Sequence, residues 1–399
     1  SNVLVMPRTT AFGYYDHNFV CALESRTDHI GPVSASGSRQ RLHRIRAHQV
    51  ILATGAIERP LVFGNNDLPG IMLANSVSTY INRYAVVPGN RCVIMTTNDS
   101  GYQTALDIQA AGRTVVAVVD SRHAPDGRLV QQAKAAGIEI MAGHGVIEAQ
   151  GSKRVTGAIV APLDAAGDTL TGPGKTLSCD LVAVAGGWSP VVHLSCHTGS
   201  RPVWQEDIAG FVPGPSIQNQ HLAGAVTGDY KLSQALNAGV QAGAAAVGVE
   251  SSHVFDCGDE SEGAAQALYL IPHTKPISRA PKQFVDFQND VTAAGIELAA
   301  REGFQSIEHV KRYTAMGFGT DQGKTGNVNG MAIVAKALNK SIAQTGTTIF
   351  RPAYTPVTFG ALGGRDVGVL LDPARHTAMH PWHLANGAEF ENVGQWKRP

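Results

Sequence analysis

Between residues 89 and 125 the chain carries a pattern that few folds satisfy. RCVIM (91–95) is a short apolar run, and GYQTALDIQAAG (101–112) puts small and apolar residues on one helical face. TVVAVVDSR (114–122) is a second apolar run that ends on an acid, Asp120. Strand, helix and strand joined this tightly form a parallel βαβ unit. LVQQAKAAGIEIMAG (129–143) supplies another helix and strand, and VTGAIVAPL and LSCDLVAVAGGWSP supply further strands. Residues 89–196 therefore read as one compact α/β domain of nucleotide-binding type.

That domain lacks the glycines such a site uses. Counting back from Gly112, the three fingerprint positions fall on Thr97, Asp99 and Tyr102. A pyrophosphate must approach bare backbone N–H groups at a helix N-terminus. Asp99 adds a carboxylate where a dianion would sit, and Tyr102 obstructs close packing of helix on strand. The expectation is the fold of a nucleotide domain without its site.

On either side lie two further motifs. VILATGAIERP (50–60) reads as a buried strand running into a glycine turn, and GAVTGD (224–229) is a second such turn, leading into a long small-residue helix. Upstream, VLVMP, NFVCALES and LHRIRAHQVILAT alternate with breakers such as SASGS, which predicts an antiparallel meander ending in a buried strand at 49–54. A helix is expected over 74–84. The motifs ATGAIERP and GAVTGD, in this order around an inserted α/β unit, resemble the two later motifs of the glutathione-reductase-like two-dinucleotide-binding flavoproteins. The resemblance implies two interleaved Rossmann-like domains (FAD/NAD(P)-binding, disulfide-reductase-like) followed by a small helical module. The first domain is expected at 1–88 and 197–250, without its GxGxxG half. The inserted domain spans 89–196, a linker 251–281 and the module 282–350. Residues 351–399 are expected to be a linker and the start of a further domain. The chain reads as a piece cut from a longer one at both ends.

Longer stretches carry a sharper resemblance. RTTAFGYYDHNFV, ILATGAIERPLVFGNNDLPGIMLANSVSTYINRY, FVDFQNDVTAAGIELAAREGFQSIEHVKRYT and TDQGKTGNVNG are similar to the α subunit of heterotetrameric sarcosine oxidases. MHPWHLANGAEFENVGQWKRP (379–399) resembles the entry to that subunit's folate-binding, aminomethyltransferase-like domain. The family implies an α subunit that holds NAD, FAD in a β subunit, and FMN shared at the α/β interface. It also implies tetrahydrofolate in the C-terminal domain and γ and δ subunits as partners. Carried onto this sequence, the NAD contacts are Thr10, Ala11, Ala53, Thr54, Gly55, Ala225, Thr227, Gly228, Asp229, Tyr230 and Leu232. The helix starting near Leu232 is expected to present its N-terminal dipole to the ligand. In TDQGKTGN, Lys324 offers a point charge and Thr320 and Thr325 offer hydroxyls to the FMN phosphate. The same loop also reads simply as a polar turn after a helix.

The helical module resembles the bacterioferritin-associated-ferredoxin-like [2Fe–2S] module, but Asp286, Gln288, Asp321 and Gly326 stand at its cysteine positions. Iron–sulfur clusters need thiolates, so no cluster is expected. The five cysteines, at 21, 92, 179, 196 and 257, form no CxxC pair. They fit small core residues in a reducing, cytoplasmic setting. His376, His380 and His383 lack a completing ligand at zinc-like spacing, so no metal is expected. With the amine-oxidising site in a partner, no catalytic residue is assigned.

Composition narrows the alternatives. Thirty-two basic residues balance 32 acidic ones, which argues against nucleic acid or an anionic membrane as partner. No apolar run reaches membrane-spanning length. A length of 399 residues suggests two to three domains. The competing readings are a stand-alone pyridine-nucleotide–disulfide oxidoreductase, the α subunit of another amine, opine or proline dehydrogenase, and a pure binding module. The first of these requires a redox CxxC and its own GxGxxG.

Overall fold

A computed structural model describes residues 2–30, 37–364, 370 and 372–399. Residues 34–36 of the SASGS breaker lie outside the described residues. The chain divides into two units, Ser1–Ala47 with Pro352–Pro399, and His48–Arg351.

The larger unit is built on a five-stranded parallel sheet. Its order is Ile71–Leu73, Leu181–Ala185, Arg91–Thr96, Thr114–Asp120 and Ile140–Ala142. Side chains alternate across a strand, so a strand buried on both faces reads as a continuous apolar run. Cys92 and Ile94 face the helices Ala74–Tyr84, Ser100–Ala110 and Arg128–Ala135. Val93 and Met95 face an antiparallel sheet of His144–Gly151, Val155–Pro162 and Lys175–Ser178. All four are fully buried, and side chains such as Val93, Ile94 and Met95 each contribute roughly 1.5–3 kcal/mol. Gly101 lets the second helix sit close, because a Cβ there would come within 2.7 Å of the Thr96 side chain.

Strand Ile71–Leu73 runs directly into the helix expected over 74–84 and is not itself read from the sequence. Three residues are too few to show a period-2 pattern, and its parallel pairing with Val182–Val184 is set by the sheet. The segment 251–281 runs without helix but is anchored. Val62 N–H donates to the Tyr269 carbonyl (3.0 Å), Ile271 N–H donates to the Val62 carbonyl (2.8 Å), and Ile271 is fully buried.

Helices Ala293–Arg301, Ile307–Thr314 and Asn327–Ala337 pack around Ile296, Val310, Met316 and Val334. The first begins at Thr292, whose hydroxyl accepts the Gly295 N–H at 3.2 Å.

In the smaller unit, strands Thr9–Tyr15, Phe19–Ser25 and Gln40–Arg46 form the antiparallel meander. Buried Tyr14 donates its hydroxyl to Asn18 at 2.7 Å. The strand expected to end the meander does not belong to it. Val50–Leu52 pairs instead in parallel with Gln220–Leu222. Nor is it fully buried: Ile51 is 42% exposed, because Gln220–Leu222 is its one partner strand among the described residues.

Among the described residues no helix is long and apolar enough to cross a membrane.

Candidate functional site

The parallel pairing of Val50–Leu52 with Gln220–Leu222 brings the two distant motifs side by side. Val50 lies opposite Gln220 and Leu52 opposite Leu222, and Ala223 N–H donates to the Leu52 carbonyl at 3.1 Å. Both motifs follow the carboxyl ends of parallel strands, where open α/β sheets bind ligands. Gly55 takes the left-handed φ of +73° and a Cβ there would meet nothing within 4 Å. Ala53 is exposed and Ala225 half-buried, so the backbone of both turns stays approachable. Thr54 donates to the Val191 carbonyl at 2.8 Å, which fixes the first turn. The Thr227 hydroxyl lies 2.7 Å from the Gly224 carbonyl and 2.8 Å from a carboxylate oxygen of Asp229, which fixes the second. Small residues, bare amides and a held acid suit a dinucleotide's sugar–phosphate path. Thr10 and Ala11, in the smaller unit, lie on strand Thr9–Tyr15, opposite Leu23 and Ala22.

One expectation changes. Leu232 does begin a helix, Leu232–Val247, but its N-terminus is closed by a carboxylate of the same chain. Glu260 accepts the N–H of Leu232 at 2.7 Å and of Ser233 at 3.3 Å, and the Ser233 hydroxyl donates to the same group. The Ser233 bond comes first among the causes that hold Glu260 below the usual carboxylate range. An acid beside the first turn complements the helix dipole, so the positive end is already answered.

Next to the second turn opens a cleft of about 510 Å³ lined by Ala225, Tyr230, Trp188 and Arg59. Tyr230 donates to the Trp188 carbonyl at 3.4 Å, and burial pushes its hydroxyl up to about 12 against the opposing charge of Arg59.

The fingerprint positions of the inserted domain are filled by the chain itself. Tyr102 donates its hydroxyl to Asp120 at 2.7 Å. Arg122 binds the same carboxylate at 2.7 Å and pairs with Asp99 at 2.7 Å. Gly263 N–H donates to the other Asp99 oxygen at 2.9 Å, and Gln266 N–H to the Thr97 carbonyl at 2.9 Å. A strap from the 251–281 segment thus crosses the strand–helix turn. The acid at the strand end, which would bind a ribose, is answered by a tyrosine and an arginine.

In the helical module the four positions matching cluster cysteines converge and form a polar clasp. Asp286 accepts the Gly317 N–H at 2.7 Å. Gln288 accepts the Asp321 N–H at 2.9 Å and donates to Thr320 at 2.9 Å. Gly326 sits so close that a Cβ would come 2.5 Å from the Val285 carbonyl. The three residues expected at FMN have partners within this clasp. Gln288 occupies the Thr320 hydroxyl, Thr325 donates to Asp321 at 3.2 Å, and Lys324 donates to the Asp321 carbonyl at 3.1 Å. Burial pushes Lys324 down, and burial followed by the Lys324 charge drives neighbouring His193 down to about 3. Thr325 also lines a groove of about 270 Å³ with Leu61, Met72 and Phe287.

Among the described residues no group of three or more His, Cys, Asp or Glu side chains is arranged to hold a metal ion. His376 and His380 stack with ring centroids 4.0 Å apart.

Arg59, Trp188 and Glu260 were not singled out in the sequence. Arg59 directly follows strand Ala56–Glu58 and stands between an acid and a proline, so nothing local set it apart. Glu260 lay in a stretch read as low-complexity linker.

Paired strand-end turns around an inserted three-layer α/β domain define the two-dinucleotide-binding fold of oxidoreductases. A crystal structure of L-proline dehydrogenase from P. horikoshii shares this fold, with a TM-score of 0.63 at 18% identity over 90% of this chain and 64% of that one. Residues 280–365 match the sarcosine oxidase A3 domain. The chain is 44% identical over 403 residues to sarcosine oxidase subunit alpha of Corynebacterium sp. (strain P-1), covering 98% of this chain and 41% of that one. It is 41% identical over 409 residues to the subunit of that name from Rhizobium meliloti (strain 1021), covering 100% and 39%. The chain is a homologue of sarcosine oxidase α subunits along nearly its whole length, and spans about two fifths of theirs.

Proposed function

We propose that this chain is the dinucleotide-holding part of the α subunit of a flavin-dependent sarcosine oxidase. The overall reaction converts sarcosine, O2 and tetrahydrofolate into glycine, H2O2 and 5,10-methylenetetrahydrofolate. A β subunit carrying FAD oxidises the amine, γ and δ subunits complete the assembly, and tetrahydrofolate binds in a C-terminal domain. In this reading Ala53–Gly55, Ala225, Thr227–Tyr230 and Leu232 hold NAD. The observation that carries the reading is the parallel register of Val50–Leu52 with Gln220–Leu222, so that the Gly55 turn and the Gly224–Asp229 turn both follow the carboxyl end of this strand pair.

FMN at the interface with β supplies the electron relay when bound. Lys324, Thr320 and Thr325 would hold its phosphate, exchanging their hydrogen bonds within the clasp for bonds to the ligand. A stand-alone disulfide reductase is disfavoured because all five cysteines are free and buried or half-buried, and burial pushes Cys92 up to about 12.

The test is co-expression of the full-length chain with its β, γ and δ partners, followed by an absorption spectrum and mass analysis of bound cofactors. A yellow complex with FAD, FMN and NAD supports the reading, and a colourless one overturns it. Lys324→Ala should lower FMN content while FAD stays. The 399-residue chain alone should form no peroxide from sarcosine.

A further inference from the structure

Arg59 is 2% exposed, and every partner of its guanidinium among the described residues is neutral. Nε donates to the Gly186 carbonyl at 3.1 Å, and Nη1 to the Ala209 carbonyl at 3.0 Å and to Ser189 Oγ at 3.5 Å. The Tyr269 ring lies 5.1 Å away. Among the described residues no carboxylate pairs with Arg59, and no acceptor meets the two N–H groups of Nη2. A buried cation of this kind is costly until an opposite charge answers it.

Nη2 points where a ligand can come. It lies against Gly187, a residue of the 510 Å³ cleft wall, and a Cβ at that glycine would sit 2.7 Å from it. Gly187 also takes a φ of +99°, so its missing side chain leaves Nη2 open to the cleft. The other charges on the cleft are Lys231 and Asp207, both exposed, Glu262, whose carboxyl is pushed up by burial and then by nearby Asp99, and Asp99 itself, already paired with Arg122. The buried charge on the cleft wall without a counter-charge is that of Arg59.

We propose that this wall is an oxyanion subsite, with Nη2 of Arg59 donating to a phosphate or carboxylate oxygen. Two sources share that chemistry: the phosphates of the dinucleotide, and a free small anion. The inference deepens the NAD reading and rests on it only for the first source.

The test uses the full-length chain in its co-expressed complex. NAD content is read by mass, and inorganic phosphate is titrated by calorimetry. Arg59→Met removes the donor. Ala265→Phe fills the cleft from an exposed rim position and leaves the hydrogen bonds of Arg59 intact. Both should weaken oxyanion binding at least about tenfold, the scale of a lost charge-assisted hydrogen bond. Loss of NAD from both variants identifies the dinucleotide as the source. Unchanged NAD with lost phosphate binding identifies a free anion. The proposal is overturned if a folded Arg59→Met complex keeps both wild-type NAD content and phosphate affinity. Should that variant fail to fold, unchanged binding of both by Ala265→Phe overturns it equally, as does a wild-type complex that binds neither. Flavin content and sarcosine turnover report separately on the oxidase reading.

Discussion

Glu260 accepts the backbone N–H of Leu232 at 2.7 Å, so a carboxylate from one loop closes the helix that follows the Gly224–Asp229 turn. That end of the helix borders the turn proposed to hold NAD. A negative charge there opposes a phosphate. Glu260→Gln keeps an acceptor and removes the charge, so NAD affinity of the assembled protein should rise, more at low salt than at high. Titration of the variant with NAD checks this. Equal affinities at all salt concentrations would remove the helix end from the binding site.

Glu58 is 4% exposed, and one of its oxygens accepts the Asn75 N–H at 2.8 Å. Burial pushes its carboxyl up to about 8. The unfolded chain releases that proton near its ordinary value of about 4.3. The folded state therefore holds a proton that the unfolded state has lost. This stabilising contribution is complete below the unfolded value and declines as pH rises toward the folded one. Glu58→Gln is neutral throughout. It should match wild type near about pH 4 and exceed it near about pH 9 in urea unfolding. No advantage at the higher pH would mean that the carboxylate is charged and compensated in the fold.

The cluster of Tyr102, Asp120, Arg122 and Asp99 stands where a dinucleotide would bind in the inserted domain. Tyr102→Phe should cost about 1.5–3 kcal/mol, the range for a hydrogen bond to a charged group. Arg122→Met leaves two buried carboxylates without their cation and should cost about 3–5 kcal/mol. Urea midpoints measure both. Tyr102→Phe should leave NAD content unchanged, and a large loss in that variant would reassign the NAD site to this domain.

Gly326 stands at one of the cysteine positions of the related cluster modules, and its packing excludes any side chain. A Cβ there meets the Val285 carbonyl, a backbone atom with little freedom to move. Gly326→Ala should destabilise the protein by about 1–3 kcal/mol, the usual cost of overpacking. A neutral result would show that the Phe284–Asp286 strand yields, and that the clasp is looser than its hydrogen bonds indicate.

The α/β core was legible because strands buried on both faces write themselves as apolar runs. Cys92 to Met95 alternate between two separate cores, yet each position had to be apolar. The loss of the inserted domain's glycines was equally plain at Thr97, Asp99 and Tyr102. Harder to see were elements whose partners are remote. Ile71–Leu73 is too short for a period, and Glu260 sits 28 residues from the N–H it caps.

Local sequence alone determined where backbone would be bare and where it would be blocked: Gly55 and Gly228 at the turns, Tyr102 and Asp99 in the degenerate site. That follows from steric and charge rules that act on one residue at a time. Only the tertiary structure decided which bare turns would face each other, and which charges would be left over. Val50–Leu52 leaves its sequence neighbours to pair with Gln220–Leu222, because register is a property of two strands together. Arg59 looks like any arginine in sequence. Its isolation arises because the fold buries it among carbonyls and rings contributed by segments 127 to 210 residues away.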